Sequence, residues 1–433
     1  MSDQKIPAGW SKRRLRFDAR MNPLKSGLDL PWDTEVSFVP MDAVGVFGGL
    51  QLNETRSIES AYNGYTYFAD GDVCIAKITP CFENGKGALA KGLTNGVAFG
   101  TTELHVIRPA PGLDGRFLFY VTMAHDFRSI GAAEMLGAGG QKRVPEEFLK
   151  DWRAPLPPIE IQRRIARFLD EKTAQIDGLI VKKRALLDRL TEKRQALITR
   201  AVTKGLNRDA PMRPSGIDWL GDIPAHWEVR GLTKCTFRVD YRGATPTKSQ
   251  SGVFLITARN IKSGRIDYLA SQEFVPEDDY EFVMRRGKPK IGEVIFTTEA
   301  PLGEVARIDR EDVALAQRII KFSTSIGELA NDYLFYWMYS SAFQRDVLSR
   351  ATGSTALGIK ASKIVELRCL LPPLVEQKQI SELLDADAER RNEVMQKVRA
   401  SIDQLEEYRA AIITSVVTGR ALVGLHNTSV QEI

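Results

Sequence analysis

The sequence predicts an α+β chain made of two tandem copies of one unit, each a mixed α/β domain running into a long helix of coiled-coil character. Three observations carry this reading. Residues 156–205 align with residues 371–420 without a gap, and 19 of the 50 aligned positions are identical. After the Pro-Pro pair in each copy, at 157–158 and 372–373, no further proline follows for more than 45 residues and glycine is almost absent, so neither stretch contains the residues that break helices. Hydrophobic residues make up 43% of the 433 and charged residues 27%, the balance of a chain that builds ordinary buried cores.

The shared positions include Leu-Pro-Pro itself, Gln162 with Gln377, Leu169 with Leu384, Asp170 with Asp385, Arg184 with Arg399 and Arg194 with Arg409. Within the first copy Ile165, Leu169, Ile176, Ile180, Leu187, Leu190 and Leu197 recur at steps of three, four and seven. The second copy repeats the stripe with Ile380, Leu384, Met395, Ile402, Leu405 and Ile412. Such spacing is an a/d seam. A helix over 160–203 would run ~65 Å and would have to bury that seam to persist in water, so the two copies are expected to pack on each other. Charged positions such as Lys182, Arg189 and Lys193 fall outside the seam.

The repeat continues faintly outside the helices. "IPAGW" at 6–10 answers "IPAHW" at 223–227, "GDV" at 71–73 answers "GEV" at 292–294, and "LFY" at 118–120 answers "LFY" at 334–336. In the globular parts "GDVCIAKIT", "TELHVI", "GVFLIT", "GEVIFTT" and "VARI" read as short strands, because β-branched residues dominate them. "RFLFYVTMAHDF" and "NDYLFYWMYSSAFQRDVL" each read as a helix. The expected boundaries are a first domain at 1–155, a helical spacer at 156–205, a linker at 206–222, a second domain at 223–370, a second spacer at 371–422 and a tail at 423–433.

Several function classes lose support. Four cysteines, Cys74, Cys81, Cys235 and Cys369, together with a polar start, fit a cytoplasmic chain without a disulfide framework. No window reaches the ~18 apolar residues of a membrane helix. The net charge of +5 is compatible with a polyanionic partner without demanding one. No Asn-Pro-Pro-Tyr tetrapeptide of the adenine-methyltransferase type and no Gly-x-x-x-x-Gly-Lys-Ser/Thr loop occurs, and the four histidines, His105, His125, His226 and His426, are scattered. No metal site is expected, and His105, inside an apolar strand, reads as a packed core residue.

The second half, with "RGATPTKSQSGVFLITARNIKSGRI", "GEVIFTTEAPLGEVARI", "QRII" and "GSTALGIKASKIVELRCLLPPLVEQ", resembles the specificity subunits of type I restriction-modification systems. The first half, with "GDVCIAKITPCFENGKG", "FGTTELHVIRP" and "LPPIEIQ", looks like another subtype of the same target-recognition domain. It departs in having "GAGGQKRV" at 137–144 where the second half has "TGSTALGIK". The resemblance implies two target-recognition domains joined by two long antiparallel helices, each domain reading one half of a bipartite double-stranded DNA site. The helices would act as spacer and dock two methyltransferase subunits through outer-face residues such as Lys182, Arg189 and Lys193. It implies no catalysis in this chain: S-adenosylmethionine, ATP and Mg would sit on partner subunits, and whether nuclease subunits join is left open. The competing readings are a coiled-coil scaffold protein without sequence-dependent DNA affinity and a self-sufficient nuclease or methyltransferase.

Base readout needs planar donor and acceptor pairs, and phosphate positioning needs Lys, Arg, Ser and Thr. On that chemistry the candidate DNA-contacting residues of the first half are Lys77, Thr79, Asn84, Lys86, Gln141, Lys142 and Arg143. Those of the second half are Arg242, Thr245, Thr247, Lys248, Gln250, Arg259, Asn260, Lys262 and Arg265.

Overall fold

The computed structural model describes residues 7–138, 140–243, 246–324, 327–353, 356–423 and 430–432. The two long helices run from Ile159 to Lys204 and from Leu374 to Val417. Each begins directly after Leu-Pro-Pro, where a residue without an N–H costs no helical bond. The first ends at Gly205, with φ +72°, and the second gives way to Gly419, with φ +74°, the left-handed conformation that glycine adopts freely. Both glycines are crowded: a Cβ at Gly205 would lie 2.8 Å from Glu376 Oε1 and 3.2 Å from Trp227, and one at Gly419 would lie 2.6 Å from Pro7 and 3.4 Å from Trp10. That close approach explains the echoed I-P-A-x-W: in each copy its tryptophan packs where a long helix ends.

The chain forms two compact units, residues 1–184 with 399–433, and residues 185–398. Each therefore holds one globular domain, the start of that domain's own long helix and the end of the other one. In the first unit an antiparallel sheet has the order Ala19–Met21, Leu104–Pro109, Val73–Ala76, Gly87–Leu89. In the second the order Thr236–Asp240, Ile319–Thr324, Val294–Thr298, Leu302–Arg307 repeats it. Each domain carries a further sheet built around one parallel pair, Glu35–Val39 with Val97–Gly100 and Val253–Ile256 with Val313–Leu315. A short antiparallel ladder ties the entry of each domain to the strand ahead of its Leu-Pro-Pro, Ser11–Arg14 with Arg153–Leu156 and Glu228–Gly231 with Arg368–Leu371.

The echoed G-D-V and G-E-V also share a task. Asp72, 1% exposed, receives two 2.7 Å bonds from Arg108, while Glu293, 6% exposed, accepts from Lys321 at 2.6 Å. Each acid starts a central strand and is paired inside its sheet, as a buried charge must be.

Identical residues of the repeat clamp each domain to its own helix. Gln162 accepts from the Asp114 amide at 2.8 Å and donates to the carbonyls of Gly112 (3.1 Å) and Pro157 (2.8 Å). Gln377 accepts from the Ala330 amide and donates to the carbonyls of Glu328 and Pro372, all at 2.8 Å. Two turns further, Asp170 accepts from the Tyr120 hydroxyl at 2.6 Å and pairs with Arg116. Asp385 accepts from the Tyr336 hydroxyl at 2.7 Å and from Arg307 at 2.6 Å. Burial pushes the Asp385 carboxyl up, but the bonds from Arg307 and Tyr336 outweigh it and hold it below the usual carboxylate range.

The expected helices "RFLFYVTMAHDF" and "NDYLFYWMYSSAFQRDVL" are each two. Gly115–Met123 and His125–Ala133 break at Ala124, with ψ 144°, and Asn331–Tyr339 and Ser341–Ser349 break at Ser340, with ψ 150°. The restarted helix frees an amide at each hinge, and a threonine of the far end of the other copy's long helix takes it. His125 N–H donates to Thr414 Oγ1 at 2.9 Å, and Ser341 N–H to Thr199 Oγ1 at 3.0 Å. Thr199 and Thr414 are themselves a pair of the repeat.

Around these bonds Ile412, Ile413, Val416 and Val417 join Ile165, Phe168 and Leu169 in the first core, and Ile198, Ala201 and Val202 join Ile380 and Leu384 in the second. Arg184 to Glu406 at 3.0 Å, and Arg409 to Asp177, run between the helices of the first unit in antiparallel sense. The seam is not uniform. Ile165, Leu169, Ile180, Ile380, Leu384, Ile402 and Ile412 are buried, whereas Leu187, Leu190, Leu197, Met395 and Leu405 are only partly so. Leu169→Ala or Leu384→Ala should therefore cost ~2–5 kcal/mol, and Leu187→Ala or Leu405→Ala clearly less, as read by thermal melting. Equal losses at all four sites would contradict this gradient. As pH falls through the depressed Asp385 value, the stabilisation from its clamp, complete above the ordinary carboxyl pKa of ~4, should disappear, so Asp385→Asn should flatten the acid limb of melting against pH.

Candidate nucleic-acid interface

In the first unit Leu136 and Arg143 close on each other by reciprocal backbone bonds, beside the strand exit at 77–79. The Thr79 amide donates to the Lys142 carbonyl at 2.9 Å and the Val144 amide to that of Lys77 at 2.8 Å. Lys77, Thr79, Gln141, Lys142 and Arg143, far apart in sequence, are thus brought together, with Gln141, Lys142 and Arg143 exposed. Arg143 grips Glu103 at 2.7 and 2.9 Å, and its hydrogen bonds hold the Glu103 carboxyl below the usual range. Thr79 donates to Glu83 at 3.0 Å, Asn84 is exposed on the same turn, and Lys86 is turned inward onto the Met41 carbonyl at 2.7 Å. His105 is a core residue, 6% exposed and 2.8 Å from the Val144 carbonyl. Burial, partly opposed by that hydrogen bond, pushes its pKa down.

In the second unit the equivalent pairing is between Thr352 and Gly358, and Gly358 bridges to Glu299. Arg242 forks onto Asp240 and reaches the Ile359 carbonyl at 3.0 Å, so its guanidinium ties the end of the strand Thr236–Asp240 to the residue after Gly358. Lys248 pairs with Glu273 at 2.7 Å. Thr247, Gln250, Arg259, Lys262 and Arg265 are exposed, and Thr245 lies outside the described residues.

Asn260 is a correction. It is 0% exposed; its Oδ1 accepts from the Thr257 amide and hydroxyl, and its Nδ2 donates to the carbonyls of Asp267 and Ser271. Every bond it could offer a base is spent on holding the turn.

Sequence reasoning missed Arg318 and Arg286. Arg318 pairs with Glu299 at 3.0 Å beside the Thr352–Gly358 pairing, at the place in the sheet where the first unit has Glu103. Its "QRII" context marked it. Arg286 braces the carbonyls of Asp240 and Arg242 from a segment far along the chain, and nothing local signalled it. The two faces share a scaffold, yet their charges are arranged differently.

Residues 38–187 and 247–404, more than half of the chain, match the family described as Type I restriction modification DNA specificity domain. The chain belongs to that family. It is similar to the Type I restriction enzyme EcoAI specificity subunit of Escherichia coli, 42% identical over 163 residues that cover 37% of this chain and 27% of that one. The match thus spans about a quarter of that relative's length. The putative type I restriction enzyme MjaX specificity subunit of Methanocaldococcus jannaschii is 23% identical over 96% of this chain and 95% of its own. Among solved structures, the HsdS subunit from Thermoanaerobacter tengcongensis aligns with TM-score 0.53 and 16% identity, over 96% of this chain and 99% of that one. A chain from a structure concerned with assembly and conformational transition of the type I R-M system aligns with TM-score 0.68 and 16% identity, over 95% of this chain and 98% of that one. These two likenesses show that the chain shares its fold with those two proteins.

No helix among the described residues is long and apolar enough to cross a membrane. Asn260→Ala should cost ~1–3 kcal/mol, since it strands buried backbone partners, while Gln250→Ala should stay within ~0.5 kcal/mol. Thermal melting of the two variants separates the structural residue from the surface one.

Proposed function

We propose that the chain is the DNA-reading, non-catalytic subunit of a type I restriction-modification assembly, with each domain recognising one half of a bipartite double-stranded target. The observation that carries this is duplication with divergence: one sheet order and one set of helix clamps occur twice, while the exposed loops differ in charge placement and sequence. A scaffold protein has no need of two unlike loop sets on like cores.

Exposed Gln141, Lys142, Arg143, Thr247, Gln250, Arg259, Lys262 and Arg265 supply donors of the kind that contact phosphates and base edges. The long helices set the number of unread base pairs. Their exposed residues, the basic Lys182, Arg189 and Lys193 with the apolar Leu179 and Val181, at 47% and 65% exposure, suit capture of two methyltransferase subunits, and nuclease subunits would join through these. S-adenosylmethionine, ATP and Mg belong to those partners in this reading.

Exchanging residues 1–155 for the corresponding domain of a relative should change one half of the bound sequence and leave the other. A change in both halves, or binding without sequence preference as the scaffold reading requires, would refute modular readout. Binding of S-adenosylmethionine by the purified chain alone would sink the non-catalytic assignment. Lys142→Ala and Lys262→Ala should each lower the slope of log affinity against log salt by about 0.9, the share of one phosphate contact.

A further inference from the structure

We propose that Arg128 and Gln344 are positioning residues of the two readers, each bracing a DNA-facing turn against the hinge that seats the far end of a long helix. The inference rests on the DNA reading above and names residues that reading does not use.

Arg128 is 9% exposed; its Nη2 lies 3.4 Å from the Met123 sulfur, and its two shorter hydrogen bonds go to carbonyls. Nε donates to Thr122 O at 2.7 Å and Nη1 to Phe82 O at 2.9 Å, with the guanidinium 4.7 Å from the centre of the Phe82 ring. Among the described residues no carboxylate pairs with it. A buried charge without a counter-charge is retained at a cost, so its particular contacts matter. Phe82 is the second residue after Pro80, on the turn that carries Thr79 and Asn84. Thr122 lies two residues before the hinge at Ala124.

The second unit repeats this geometry with another side chain. Gln344 Nε2 donates to Gly303 O and Met338 O, both at 2.8 Å. Gly303 is the second residue after Pro301, on the segment that begins with Glu299. Met338 lies two residues before the hinge at Ser340, and Gln344 four after it, as Arg128 lies four after Ala124. The residue type has diverged between copies, yet its two acceptors have not. A side chain that merely filled space would not find the same pair of carbonyls twice.

On the other side of each hinge, the amide of the next residue is held by Thr414 or Thr199 of the far helix end. Turn, brace, hinge and helix end form one chain of directed bonds. Loss of the brace should leave the core standing while the turn drifts, and base readout tolerates little drift because a bidentate contact requires aligned planar groups.

The test uses the full chain, with its preferred duplex first selected from a randomised DNA library. Affinity is then measured on that duplex and on versions with either half scrambled, for Arg128→Met and Gln344→Met alongside wild type. Each variant is expected to lose discrimination at least tenfold in one half only, the two variants in opposite halves, with melting close to wild type. Should Arg128→Met not fold, Gln344→Met, at a half-buried site, decides alone. A folded variant that discriminates both halves as wild type does overturns the brace, as does equal loss in both halves. Wild type that binds all duplexes alike overturns the DNA reading, and the brace's role with it.

Discussion

The structure depends above all on the glutamine clamp at the start of each long helix. Gln162 and Gln377 each spend one acceptor and two donors on backbone groups, one just ahead of the helix and the others in the loop that opens the domain's helical hairpin. A helix can swivel on apolar contacts, because those are non-directional. Three directional bonds fix both its origin and its angle. The Asp–Tyr bond two turns on supplies a second fixed point, and two points define a line. Each domain is therefore held rigidly to the first turns of its own helix, and whatever geometry the loops acquire is referred to that axis.

The architecture was largely legible in the sequence because it is written twice. Leu-Pro-Pro and the apolar stripe announced both rods, which run from Ile159 to Lys204 and from Leu374 to Val417. The echoed fragments had physical reasons that could not be seen beforehand: Trp10 and Trp227 pack at helix ends, and Asp72 and Glu293 are buried in ion pairs. The breaks at Ala124 and Ser340 were hidden, since nothing local in "RFLFYVTMAHDF" forbids a continuous helix. The competing partner, a threonine about 290 residues away in the first unit, is invisible to any local pattern.

The candidate interface was legible as chemistry and only partly as geometry. Polar loops were found, yet polarity does not distinguish a side chain offered outward from one consumed by its own turn. Asn260 was misjudged for that reason, and Lys86 and Arg242 proved to be engaged with protein. Arg318 and Arg286 were passed over because their relevance arises from strands and turns that meet only on folding. Loop composition thus points to a surface, and the hydrogen-bond account decides which of its members remain available.

The first core has a consequence for the order of events during synthesis. It contains Phe117 and Leu169 but also Ile412, Ile413, Val416 and Val417, residues made long after the first helix has been synthesised. At ribosomal rates of ~5–20 residues per second, the early domain waits on the order of tens of seconds for its last wall. Throughout that interval the first core lacks the residues that complete it. The second core, which draws on Ile198, Val202 and Leu384, needs only a contiguous stretch and can close while the earlier one is still incomplete, so the half of the protein that emerges second is the half equipped to finish first.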